Sequence, residues 1–244
     1  MSWAASARSS GADYASALTS AATHAPSAHG SGLIRAPTWP SLNREPASQL
    51  CRPRKKALPA SLARAARAHP GQRITLYVQD EARFGQKGRS CRRWWLRGLR
   101  PSGPADQRHS FAYVFAAVEP ITGRDFCLVL PAVSTTAMRE FLRRFFATLP
   151  EDEHAVMVLD GAGWHTSHDL IIPPNVTLLR LLPYSPELNP VERVWLYLRE
   201  RHLSHRVLDG YAAIVDAVCH AWRQLDPERL RSLCGYPWIR QVSG

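Results

Sequence analysis

STTAMREFLRRFFATLPEDEHAVMVLD, residues 134–160, carries two kinds of order in succession. Met138, Phe141, Leu142, Phe145 and Phe146 recur at three- and four-residue spacing behind a run of hydroxyl residues suited to capping a helix start, so the first part predicts an amphipathic helix. HAVMVLD is a short apolar run and reads as a buried strand that ends at Asp160.

Working upstream, RITLYVQD (73–80) is a strand by its β-branched and aromatic content, CRRWWLRG (91–98) a second short one, and SFAYVFAAVEP (110–120) a third. The Thr122-Gly123 turn joins that third strand to RDFCLVLP (124–131), which makes a hairpin. Downstream of Asp160, NVTLLRLLP (175–183) is another strand, and GYAAIVDAVCHAWRQL (210–225) makes a last amphipathic helix. Antiparallel hairpin strands first, then strands alternating with helices, point to an α/β class: a mixed sheet with helices on both faces.

Between those last two elements stands LLPYSPELNPVERVW, residues 181–195. Val191, Val194, Trp195 and Leu198 form a helical stripe, with Arg193, Arg199, Glu200 and Arg201 mostly off it. Asn189 is a favoured N-cap, Pro190 fits the first helical position, and Glu192 falls where a capping-box carboxylate reaches back to the cap. On this stretch alone Glu192 reads as a structural cap before it reads as a catalytic acid.

The chain of 244 residues is long enough to bury a sizeable core, and its 31 Lys plus Arg against 20 Asp plus Glu leave a formal charge of +11. Such an excess favours a polyanionic partner, nucleic acid above all. No apolar run is long enough to span a bilayer and no signal peptide opens the chain, so the expected location is cytoplasmic, at the nucleoid, without a membrane partner. Five cysteines, odd in number and without Cys-x-x-Cys spacing, read as reduced thiols. The pairs His165/His168 and His202/His205 lack the companions of a zinc set and read as surface or packing histidines.

Residues 1–51 are dominated by Ala and Ser, show no sustained period of 2 or 3.6, and are expected to be poorly ordered. Residues 52–71 follow as a basic linker, RPRKK and then one short helix before the Pro70-Gly71 break. The compact domain is expected from 72 to 244.

Two further acids occupy positions that a site would use. Asp80 ends the first strand and Asp160 the central one, and in open α/β sheets sites form where chains leave the strand ends. A helix arriving after the next strand brings Glu192 toward the same crevice. Three gathered carboxylates repel one another unless cations are bound, and an oxygen-rich set suits Mg²⁺ or Mn²⁺. Each acid also has a structural reading: Asp80 as a strand-end turn former, with Glu81 on the opposite face, and Asp160-Gly161 as a turn dipeptide.

Taken together, QDEARFGQKG, VLDGAGWHTS and LLPYSPELNPVERVW resemble the three signature blocks of the DDE transposases, specifically the bacterial insertion-sequence branch of the mariner superfamily. The resemblance runs from about residue 52 to the C-terminus. It implies a ribonuclease H-like fold with Asp80, Asp160 and Glu192 as metal-binding catalytic acids, two Mg²⁺ (or Mn²⁺) ions, and DNA phosphodiester cleavage followed by strand transfer, without a covalent enzyme intermediate or a small-molecule cofactor. It implies DNA as partner, both transposon ends and target, and leaves a homo-oligomer open.

Near the acids, His165 stands five residues after Asp160, within reach of a phosphate or a metal-bound water, or is a surface histidine at a helix start; Glu81 and Asn189 flank the other two blocks. Arg83, Lys87, Arg89, Arg92 and Arg93, interleaved with Trp94 and Trp95, form a cationic run suited to DNA phosphates, or a solvated strand with buried tryptophans. Relatives of this type carry an N-terminal helix-turn-helix, and residues 1–50 lack the paired amphipathic helices it needs. The expectation is a truncated product, or half of a transposase completed by another reading frame. The alternative function is a catalytically idle DNA-binding or dimerising remnant.

Overall fold

The structure, a computed structural model, describes residues 5–6, 57–87, 97–99, 106–181 and 189–240. Apart from residues 5–6, the segment expected to be disordered lies outside that range, as do residues 91–96 of the expected second strand.

A sheet of six strands forms the centre, in the order β1-β4-β3-β2-β5-β6. They are β1 (Ala5–Ser6), β2 (Arg73–Gly85), β3 (Phe111–Val118), β4 (Asp125–Leu130), β5 (Glu153–Leu159) and β6 (Val176–Arg180). β2, β3 and β4 pair antiparallel, whereas β5 pairs parallel with both β2 and β6. The helices are α1 (Ala57–Ala68), α2 (Thr135–Phe146), α3 (Gly163–Thr166), α4 (Val191–Arg201), α5 (Gly210–Arg223), α6 (Pro227–Cys234) and α7 (Pro237–Arg240). This is the mixed α/β sheet expected from the pattern, with α6 and α7 as additions that the sequence reading did not contain.

Strand alternation sorts the two faces. Val78, Ala82 and Phe84 of β2 join Val194, Trp195, Leu198, Ile214, Val218 and Trp222 in one cluster under α4, α5 and α6. Tyr77, on the other face, joins Phe115, Phe126 and Met157 beneath Met138, Phe141, Leu142 and Phe145 of α2. The stripe expected on that helix is buried apart from the exposed Phe146, and Ser134 caps it, its hydroxyl accepting from Ala137 N at 3.1 Å. A third cluster, Leu58, Leu76, Val158, Trp238 and Ile239, seats α1 and α7.

The β3–β4 hairpin turns at Gly123, whose φ is +78° and whose Cβ position would lie 2.1 Å from the carbonyl oxygen of Pro227. Any side chain there collides with the first turn of α6, so both backbone hand and packing require glycine.

The parallel register places the acids. Val78 of β2 stands opposite Val158 of β5, the last matched pair between these strands. Two residues further along the chain come Asp80, still inside β2, and Asp160, one residue past the end of β5 at Leu159. Asp80 is thus not at the strand end expected from the sequence, because β2 continues to Gly85 paired with β3.

Candidate active site at the ends of β2 and β5

Asp80 points to the α4 face. It is 8% exposed, and its Oδ2 accepts from Trp195 Nε1 at 2.7 Å. A buried indole N–H needs an acceptor, and this one fixes the carboxylate. Glu192 lies three residues before Trp195, hence beside it on α4, and is exposed. Burial pushes the Asp80 carboxyl up to about 7; the Trp195 bond opposes the shift, and the charges of Glu192 and Glu81 add to it.

Glu81 points the other way. Its Oε1 accepts from His165 Nε2 at 2.8 Å, from Trp164 Nε1 at 3.2 Å and from Gln79 Nε2 at 3.1 Å. His165, with a side chain 1% exposed, reaches Asp160 Oδ1 through Nδ1 at 2.9 Å. Asp160 Oδ1 also accepts from Ala162 N at 3.0 Å, and its side chain is 53% exposed. The bond to His165 holds the Asp160 carboxyl below its usual range. Burial alone would lower the His165 imidazole, but its bonds to Asp160 and Glu81 prevail and raise it to about 9.

The charge of Glu192 on α4 acts on Asp80, while Asp160 follows the end of β5 with its carboxylate tied to His165. Glu81 lies opposite Asp80, as alternation required. Of the two readings of His165, near the acids or on the surface, the structure has it buried against Asp160 and Glu81. The capping-box reading of Glu192 is corrected: α4 begins at Val191, one residue later than expected, and Glu192 falls at the second helical position. Asn189 does bind the turn, its Oδ1 accepting from Val191 N at 3.1 Å. Arg83 and Lys87 are exposed, Arg83 stacking over Phe111 at 4.5 Å; Arg89, Arg92 and Arg93 lie outside the described residues.

Trp195 was read only as core. Its position three residues after Glu192, together with the need of a buried indole for an acceptor, was the available signal.

Among the described residues, no Lys or Arg is paired with Asp80, Asp160 or Glu192. A carboxyl pushed toward protonation by burial and, after it, by the charges of Glu192 and Glu81 has the chemistry of a ligand for a hard divalent cation. One ligand atom each of Glu81, Asp160 and His165 also lies within 4.8 Å of the others. There, both ring nitrogens of His165 face carboxylate oxygens, so both donate and the imidazolium itself is the cation between the two acids.

A family described as DDE superfamily endonuclease matches residues 75–213. An uncharacterized protein of Sinorhizobium fredii (strain NBRC 101917 / NGR234), y4pE/y4sA, is 43% identical over 133 residues, covering 54% of this chain and 98% of its own length. Among solved structures, the Mos1 strand transfer complex is similar over 87% of this chain and 65% of that one, with 15% identity and a TM-score of 0.56. The Mos1 mariner paired end complex with Mn is similar over 86% and 66%, with 14% identity and a TM-score of 0.59. At these identities the likeness shows the shared fold, ribonuclease H-like. The chain spans less than two thirds of the Mos1 chains' length.

Proposed function

This chain belongs to the DDE superfamily of endonucleases, and from that premise we propose that it is the catalytic part of a transposase, cleaving DNA phosphodiesters and joining the freed 3′-end to target DNA. What supports the proposal is the buried Asp80 of β2 under the charge of Glu192 on α4, with Asp160 following β5 two residues past the last β2–β5 pair, in a chain of charge +11. The Mos1 structures are described as strand transfer and paired end complexes, one of them with Mn, which supports the same chemistry here.

Asp80, Asp160 and Glu192 would hold the divalent ions, two of them if the site follows the bridged arrangement common to phosphoryl transfer. When bound, such ions make water or a 3′-hydroxyl nucleophilic at neutral pH and stabilise the leaving oxygen. The protein's own part is to fix the ligands. Trp195 fixes one Asp80 oxygen, His165 and Ala162 N orient Asp160, and the packed stripe of α4 carries Glu192 toward Asp80. Basic side chains including Arg83 and Lys87 supply phosphate attraction without reading sequence. DNA is therefore the partner, and no helix is long and apolar enough to cross a membrane among the described residues.

The test is cleavage and strand transfer of labelled duplex DNA with Mg²⁺ or Mn²⁺, with Glu192→Gln alongside. The variant is expected to lose cleavage while retaining DNA affinity and fold. A Glu192→Gln protein that cleaves as well as the parent would overturn the assignment.

A further inference from the structure

The Asp160 side chain is 53% exposed, and a free aspartate after a strand end samples several rotamers. Its orientation here is set from behind. His165 is wholly buried in α3, one ring nitrogen on Asp160 at 2.9 Å and the other on Glu81 at 2.8 Å. Glu81 is in turn held by Trp164 Nε1 and Gln79 Nε2, so three donors converge on one carboxylate oxygen of a side chain 8% exposed. The chain Glu81–His165–Asp160 thus links β2 to the residue that follows β5.

We propose that Glu81 and His165 are positioning residues that clamp the Asp160 carboxylate in its ligating orientation. The proposal rests on the reading of Asp160 as a metal ligand. With Asp160 on one ring nitrogen and Glu81 on the other, the imidazole of His165 is held at both ends and gives the Asp160 carboxylate a fixed direction. Partners of this kind behind a metal ligand are typically worth about 10–100-fold in affinity or activity.

The test uses the full chain, with Mn²⁺ binding measured by calorimetry in the absence of DNA, and kcat and KM for cleavage with Mn²⁺. Thermal melting confirms the fold of each variant. His165→Asn places an amide near the Nδ1 position and can keep the bond to Asp160; His165→Gln places it near Nε2 and keeps only the bond to Glu81. The clamp requires His165→Gln to lose about 10–100-fold in kcat at unchanged KM for DNA, and about tenfold in Mn²⁺ affinity, with His165→Asn recovering most of both. Glu81→Gln replaces the charged acceptor on His165 Nε2 by a weaker, neutral one and so loosens the ring, and is expected to weaken Mn²⁺ binding about tenfold. Equal loss in the two His165 variants, or parental behaviour in both, overturns the clamp. So does unchanged Mn²⁺ affinity in Glu81→Gln, which decides the matter should the His165 variants not fold. Asp160→Asn is the separate control: if that variant binds Mn²⁺ as the parent does, the ligand reading itself fails.

Discussion

β2 and β5 carry buried acids at both ends of their shared register, and the two ends are built on opposite plans. At the start of the strands, Glu153 is 0% exposed and fully answered. Arg124 grips it with two parallel bonds of 2.6 and 3.0 Å, Arg73 bonds it from the neighbouring strand, and Tyr77 donates at 3.2 Å. Arg124 also bonds Glu119 at 2.6 Å. At the far end Asp80 is nearly as buried, yet its neighbours are Glu192 and Glu81, and its donor is a neutral indole. The strands, the burial and the residue class are alike. What differs is whether the chain supplies the positive charge. An acid whose cation comes from the sequence belongs to the framework, and one left without it marks the place where a cation from solution fits.

The largest effect that sharpens this contrast is Asp80→Asn. If Asp80 ligates metal as proposed, its loss forfeits several kcal/mol of transition-state stabilisation, and DNA cleavage should fall about 10³-fold or more. The melting temperature without divalent ions should hold or rise at neutral pH, because a buried charge among like charges is removed. A large drop in melting temperature would mean that Asp80 is framework after all.

Glu153→Gln should do the reverse. Removing the charge takes charge-assisted bonds from Arg124 and Arg73 and leaves Arg124 with Glu119 alone, a cost of about 1.5–3 kcal/mol and a fall of about 3–12 °C in melting temperature for a chain of this size. Cleavage per folded molecule should survive at low temperature, a comparison open to single-turnover assay after calorimetry.

The same pair has a pH signature. Burial opposes ionisation of Glu153, but its bonds and charge interaction with Arg124, with Thr75 and Arg73 adding, hold its carboxyl below the ordinary range. A depressed folded value stabilises the protein fully above the unfolded value near 4.5 and loses that contribution as pH falls through the folded one. The gap in unfolding free energy between parent and Glu153→Gln should therefore narrow as pH is lowered from about 5 toward 3, read by urea titration. A gap that widens in acid would break the assignment. The smallest effect is at Asn189, whose bond to Val191 N closes the turn before α4: Asn189→Ala should cost about 1 kcal/mol in the same titration.

Much of this architecture could be read from the chain because its signals are local. The apolar spacing of residues 138–145 has one helical solution, the alternation in residues 76–84 has one face for each side chain, and Thr122-Gly123 ends one strand where the next must begin. The approach of Asp80 to Asp160 was legible only as a strand-end rule, since parallel register is decided by contacts about eighty residues apart. His165 could be read only as a choice between a place near Asp160 and a place on the surface, because a histidine in a polar stretch carries no periodic signature; its contact with Glu81 comes from a strand about eighty residues away. The cap at Glu192 failed by one residue, since capping depends on where the first helical turn closes, and Asn-Pro permits either start.

The pairing of Val78 with Val158 also bears on time. The β3–β4 hairpin joins Val118 to Asp125 across a short turn and can close as soon as both strands exist, and β2 can pair with β3, whereas the β2–β5 pairing must wait for a distant part of the chain. During synthesis from the N-terminus, Asp80 emerges long before Asp160 and longer still before α4 brings Glu192 and Trp195. A ribosome-bound fragment ending before residue 191 would hold most of the sheet but neither the indole that Asp80 bonds nor the last acid of the proposed site.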